Sequence, residues 1–354
     1  MNEDKYLIVK GIAGLGNRIL SALTGILYAR LTGRRLIIDW SDSTYSNDGS
    51  NAFHSFFQCP LVSLNNEIPA TDSVSPDIWR GRLNESVENL RKPYGNNKEF
   101  WQMSSIDLTK LDYPEDVLVM WTYIDKVDLL RNHFKEALEE FGQASRKEIL
   151  RKLLREDLIL NPQIRERVEQ FKNNSLCRKT AGIHVRYTDH RARLKSILNK
   201  LSILMKMEPE LQIFVATDNM MVNKLFEGKY QGVINTQHWY PTPGSRIHQN
   251  PSCPDRLENG MEALVDLYVL AECDYLIIDT SSMFSYLAAL LTHAPDSHIF
   301  NVNPIERGGK GYTITKRIIW RLMYRLGAFS WGFSLLSKLE KIQKLFYRRT
   351  DLPQ

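Results

Sequence analysis

Gly182-Ile183-His184-Val185-Arg186-Tyr187-Thr188-Asp189 is the stretch on which the fold turns. Thr180 to Val185 is mostly apolar and β-tolerant, and charges crowd in from Arg186 onward, so the spacing predicts a buried strand that ends in a polar turn. His184 and Arg186 are two apart, which puts both on one face of a strand. A guanidinium at the C-terminal end of such a strand is placed to hold a phosphate through two N–H donors. A surface arginine beside a satisfied core histidine is the plain alternative, and the neighbouring sequence has to choose between them.

Working outward, the same pattern repeats. Leu211–Ala216 reads as a strand ending in Thr217-Asp218-Asn219, with a helix from Met220. Tyr275–Asp279 reads as another, and Thr280-Ser281-Ser282 opens a helix through Leu291. Leu194 to Met207 and Met261 to Cys273 have helical spacing, Gly232-Val233-Ile234 reads as a short strand, and residues 235 to 259 form a Pro- and His-rich loop. Upstream, Tyr6–Lys10, the glycine turn Gly11–Gly16, the apolar helix Asn17–Leu31 and the strand Leu36–Asp39 make a β-α-β unit, which predicts a parallel sheet with right-handed crossover. Val117 to Trp121 is a further buried strand. Residues 41 to 115 read as irregular loops and short helices, and 128 to 172 as helix interrupted at Leu160-Asn161-Pro162. Alternating strands and helices in both halves predict an α/β chain of two Rossmann-like, doubly wound domains. We expect them at residues 1–172 and 173–315, followed by a tail at 316–354.

The 354 residues, 43% hydrophobic and 25% charged, suffice for two ordinary domains. The four cysteines are scattered with no Cys-x-x-Cys pair, which points to a reducing compartment and away from zinc or redox motifs. The start Met1-Asn2-Glu3-Asp4-Lys5 lacks signal-peptide character, and no run of 18 apolar residues occurs. A cytoplasmic location is therefore expected. The net charge is +5, but residues 316 to 349 hold nine cations against the single acid Glu340, so the rest of the chain is negative overall. That distribution argues against a nucleic-acid partner for the body. Trp320, Trp331 and Phe333, with Leu335, Leu339, Ile342 and Phe346 at helical spacing, make the tail a basic amphipathic segment. It is expected either at an anionic membrane surface, on the inner face of the cytoplasmic membrane, or packed back on the body.

Arg186, Asp218, Ser281 and Ser282 all follow strands at their C-terminal ends, where open parallel sheets bind ligands. The serines precede an apolar helix, whose N-terminal N–H groups attract anions. Asp266, among the apolar residues Ala263, Leu264, Val265 and Leu267, is either a solvent-facing aspartate or a carboxylate for a nucleobase. The loop Gly11-Ile12-Ala13-Gly14-Leu15-Gly16-Asn17-Arg18 also admits a dinucleotide reading with Asp39 on a ribose, although Ile19 stands where the third glycine would fall.

Gly14-Leu15-Gly16-Asn17-Arg18 and Thr32 to Trp40 resemble the opening of the bacterial nodulation α-1,6-fucosyltransferases. Gly182-Ile183-His184-Val185-Arg186, Phe214-Val215-Ala216-Thr217-Asp218 and the run Asp266 through Ser282 are similar to that family's later motifs, in order, over about residues 7 to 292. The α-1,2-fucosyltransferases share the Gly-Leu-Gly-Asn start. The resemblance implies a GT-B-like fold, GDP-fucose as donor, a glycan acceptor (an oligosaccharide or lipid-linked glycan), inverting transfer and no metal or other cofactor. It implies that Arg186 holds the diphosphate, His184 and Asp266 line a guanosine pocket, Ser281 and Ser282 bind phosphate oxygens, and Asn17 faces the reacting sugar. Gly14, Gly16, Arg18 and Asp218 complete the donor site. Some relatives carry a glutamate a few residues past the His-x-Arg motif as base. Here that stretch is His190-Arg191-Ala192-Arg193-Leu194, so Asp189 is the candidate base, with Asp42 and His190 as substitutes. Transfer of another GDP-sugar, or binding without catalysis, are the alternatives.

Overall fold

The structure is a computed structural model. It describes residues 5–62, 67–95, 97–134, 138–188, 192–241 and 250–303. Asp189, His190, Arg191 and the basic tail lie outside the described residues. Met1–Val302 forms one compact unit.

In chain order the first half comprises β1 (Tyr6–Lys10), α1 (Leu15–Thr32), β2 (Arg35–Asp39), α2 (Phe53–Phe56), β3 (Phe57–Gln58), β4 (Val74–Ser75), α3 (Val87–Arg91), α4 (Lys98–Met103) and β5 (Val117–Met120). Then come α5 (Val127–Leu130), α6 (Arg146–Glu156), β6 (Ile159–Leu160) and α7 (Pro162–Ser175). The second half comprises β7 (Thr180–Val185), α8 (Leu194–Met207), β8 (Gln212–Thr217), α9 (Met220–Lys229), β9 (Val233–Ile234), α10 (Arg256–Glu272), β10 (Tyr275–Ile278), α11 (Met283–Leu291) and β11 (Ile299–Asn301). The first sheet has the order β2-β1-β5-β4 and the second β11-β10-β7-β8-β9, with every pairing inside them parallel. The second is a Rossmann-type order, which reverses between β7 and β10.

Alternation along the strands explains the layers. Leu7 and Val9 of β1, Leu36 and Ile38 of β2, and Leu118 and Met120 of β5 face the same core as Phe214 and Ala216 of β8 and Leu276 and Ile278 of β10. That core also contains the buried faces of α1, α6, α7, α10 and α11, so the two sheets share one helical layer. Their opposite faces form separate outer cores, Ile8, Ile37, Val117 and Val119 on one side and Ala181, Ile183, Val185, Ile213, Val215 and Ile277 on the other. Period-two alternation with both faces apolar is what a parallel sheet covered on both sides requires.

Among the described residues between 128 and 145 the helical expectation is met only by short pieces, the single turn α5 and 3-10 turns at Arg131–His133 and Glu139–Phe141, and α-helix resumes where Ser145 and Glu148 form a capping box at the start of α6. Ile159-Leu160, where the sequence predicts helix up to the break at Leu160-Asn161-Pro162, is a strand that pairs antiparallel with Phe57-Gln58. Asn161 then caps α7, with Pro162 as its first residue. No helix among the described residues is long and apolar enough to cross a membrane.

Candidate active site

The carboxyl ends of β1, β7, β8 and β10 open onto one cleft of ≈ 760 Å³, solvent at its mouth included. Its lining brings together Gly14, Gly16, Asn17, His184, Arg186, Asp218, Asp266 and Ser282. These residues come from both halves of the chain.

Two helices begin at this cleft. Gly14, which has no side chain to cap with, is the N-cap of α1, and Ser282, whose hydroxyl does not cap, is that of α11. The first amides of each helix therefore have no partner inside it, and the positive ends of both dipoles point at the same space. They can converge because residue 16 is glycine: a Cβ there would sit 2.9 Å from Met283 Cβ and 3.0 Å from its carbonyl carbon. Ser282 is buried and its Oγ has no hydrogen-bond partner. An unpartnered buried hydroxyl is unfavourable in an empty site and useful in an occupied one. Arg186 follows β7 into this lining.

His184 is buried, stacked on Phe284 with ring centroids 4.7 Å apart, and its Nδ1 is 2.6 Å from Ser285 Oγ. Burial, and then the neighbouring Arg186 charge, push it down to about 3, so the ring is neutral. Asp218 accepts hydrogen bonds from Tyr187 N and Thr188 Oγ1, both at 2.6 Å, and so fixes the turn that carries Arg186. Asp266 is buried in α10, accepts from Thr236 Oγ1, and lies 3.9 Å from His238 Nδ1. Burial raises its pKa. The solvent-facing reading of Asp266 is thus wrong, because its side of α10 faces the cleft. Asn17 Nδ2 donates to Tyr123 O at 2.7 Å, linking the ends of the β1 and β5 segments.

Two expected donor ligands are placed elsewhere. Arg18 is fully buried behind the glycine loop, where its Nε donates to Ala13 O at 3.0 Å and its Nη2 pairs with Asp42 at 2.5 Å. Its guanidinium also packs over Trp40 and Tyr45 and fills the space that a Gly11 side chain would occupy. It shapes the loop rather than the lining. The same pair engages Asp42. Ser281 Oγ donates to Asp279 at 2.6 Å, so only Ser282 lines the cleft. Asp39, needed by the dinucleotide reading, is buried against Lys10 and accepts from Ser41 N at 2.9 Å.

Sequence reasoning missed Tyr45, His238, Asn259, Glu262 and Phe284, which also line the cleft. Asn259, Glu262 and Asp266 follow one another by three and four residues, so a polar stripe on an otherwise apolar helix was there to be read. Burial raises the pKa of Glu262, which accepts from Trp239 N at 3.3 Å.

Two Rossmann-like halves whose strand ends open onto one cleft define the GT-B class of fold. No family model matches the sequence. Nodulation protein Z of Azorhizobium caulinodans is 24% identical over 322 residues, covering 82% of this chain and 90% of that protein. Nodulation protein Z of Bradyrhizobium diazoefficiens is 22% identical over 332 residues, covering 85% and 82%. Among solved structures, NodZ α-1,6-fucosyltransferase soaked with GDP-fucose superposes with a TM-score of 0.58 at 21% identity, covering 82% of this chain and 93% of that one. A mutant of Arabidopsis thaliana FUT1 in complex with GDP gives 0.54 at 18% identity, covering 84% and 72%. The chain shares the fold of these solved structures and is similar in sequence to the Nodulation protein Z proteins over most of its length.

Proposed function

We propose that the protein transfers L-fucose from GDP-fucose to a hydroxyl of a glycan acceptor, with inversion at the sugar carbon and without a metal ion. What carries the reading is the convergence of the α1 and α11 N-termini, the unpartnered Ser282 hydroxyl and Arg186 on one cleft. A diphosphate is the ligand that such a concentration of N–H donors and positive charge suits best. The neutral His184 on Phe284, with Asp266 and His238 beyond, gives flat faces and a carboxylate for a guanine base. NodZ, which shares the fold, has been soaked with GDP-fucose and co-crystallised with GDP, and a mutant of Arabidopsis thaliana FUT1 forms a complex with GDP.

In this reaction the acceptor oxygen attacks the sugar carbon on the face opposite the diphosphate. The carbon–oxygen bond to the β-phosphate breaks, and its electron pair leaves with GDP. Negative charge grows on that phosphate, where a fixed arginine and helix amides stabilise it more in the transition state than in the ground state. The acceptor hydroxyl loses its proton to a base, for which we assign Asp189 by its place three residues beyond Arg186. The test is GDP release from GDP-fucose with a glycan acceptor in EDTA. Arg186→Ala should lower turnover by about 100-fold or more while leaving the melting temperature unchanged. Undiminished turnover in that variant would sink the assignment.

A further inference from the structure

Eight large apolar side chains are exposed among the described residues, and five of them stand on α8 and α9. They are Ile203 and Met207 on α8, and Met220, Met221 and Leu225 on α9, from 40% exposed at Leu225 to 73% at Met207. The two helices follow β7 and β8, which are adjacent in the sheet, and both bury into its outer core, so they lie side by side. Neither needs the exposed residues for that core. α8 buries Ile197, Leu201 and Leu204, and α9 buries Val222 and Phe226. Ile203 and Met207 are four apart, as are Met221 and Leu225, so each helix carries an apolar pair one turn long off its buried stripe. Single exposed hydrophobic residues are ordinary on a surface, but this concentration on helices of 14 and 10 residues marks an interaction face.

The charge beside them selects the partner. α8 carries Lys195, Lys200 and Lys206 and no acid, and α9 carries Lys224 and Lys229 against Glu227 alone. Outside the 316–349 stretch the chain is negative overall, so these helices are a positive face on an acidic body. A second copy would bring the same positive charge to the contact and be repelled. A nucleic acid would satisfy the lysines and leave the apolar pairs against phosphates. An anionic lipid surface satisfies both: apolar side chains enter the acyl boundary, lysine stems lie along it, and the ammonium groups stay among the headgroup phosphates.

The place of the face in the fold gives it a use. α9 begins two residues after Asp218, which lines the donor cleft, and its N-cap Asn219 accepts from Met221 N at 2.9 Å. Met220 and Met221 therefore stand at the end of α9 nearest the cleft. We infer that the outer face of α8 and α9 is a seat for an anionic lipid bilayer, with the two apolar pairs inserted and the lysines on the headgroups. Seated there, the protein holds its cleft beside the membrane, within reach of an acceptor carried on a lipid. The seat does not depend on the transferase reading and is separate from the basic stretch at 316–349.

The experiment is co-sedimentation of the full chain with vesicles of equal parts phosphatidylglycerol and phosphatidylcholine, and of phosphatidylcholine alone. Wild type should partition onto the anionic vesicles about tenfold or more strongly than onto the neutral ones, and less so in high salt. The pair Met221→Ser with Leu225→Ser, and the pair Lys206→Glu with Lys224→Glu, should each weaken that partition by about tenfold or more. All four positions are exposed and outside the cleft, so the melting midpoint and GDP affinity should match wild type in both variants. Wild-type partition in both double variants would overturn the seat and leave residues 316–349 as the binder. No partition of wild type onto anionic vesicles would overturn it outright. A dimer in vesicle-free solution that both double variants abolish would also overturn it, making the face an interface between copies.

Discussion

Ser282 offers a hydroxyl that the protein itself does not use. It is buried at a helix start without capping that helix, so removing it takes nothing from the folded protein's own bonds. Ser282→Ala should leave the thermal midpoint within about a degree of wild type yet weaken GDP by roughly ten- to a hundredfold, one hydrogen bond to a charged group. A fall in stability with unchanged GDP affinity would make it a structural serine. His184 gives a pH consequence whose sign follows from burial. Its folded value is about 3, below the ordinary histidine value near 6.5 in the unfolded chain. Between those values the unfolded chain binds the extra proton, so this residue makes the protein less stable as pH falls through that window. His184→Gln should therefore show a shallower loss of urea stability from about pH 7 to about pH 4.5 than wild type. The raised Asp266 acts in the opposite sense and is present in both proteins, so the comparison isolates the histidine. Equal slopes would mean that His184 titrates normally.

Helix α1 and helix α11 meet at Gly16, and the donor site depends on how closely they meet. Gly16→Val would press a branched side chain onto Met283 and the backbone of α11. We expect a loss of about 1–3 kcal/mol in stability, read by denaturant melting, and a weaker GDP isotherm as the two N-termini move apart. Wild-type GDP affinity in this variant would show that the convergence is incidental. At this scale much was legible in the sequence. Strand β7 could be read because an apolar run ends abruptly in charges, and the opening β-α-β unit because its glycine turn sits between a strand and a strongly periodic helix. Arg18 could not, since its burial depends on Asp42, Trp40 and Tyr45, which only the tertiary fold brings around it. Two-residue β6 was hidden for the same reason: its partner is about a hundred residues away. Ser281 and Ser282 are indistinguishable by type, and only the turn decides that one bonds Asp279 and the other is buried in the wall of the cleft.

Across Met1–Val302 both sheets press on one helical layer, and the cleft draws its lining from each half. Heat should therefore unfold this unit in a single transition, and GDP at about 100 times its dissociation constant should stabilise it by about 2.7 kcal/mol. Two transitions in scanning calorimetry, with GDP shifting only one, would mean that the halves fold independently and that one half's share of the cleft lining is dispensable for GDP. The most direct test of the central claim is isothermal titration of the purified protein, in EDTA, with GDP, GDP-fucose, GDP-mannose, UDP-glucose and NAD. Selective binding of GDP and GDP-fucose is the result expected from a diphosphate site between two helix starts with a guanine pocket beside it. Binding of NAD alone, or equal binding of UDP-glucose and GDP-fucose, would contradict it.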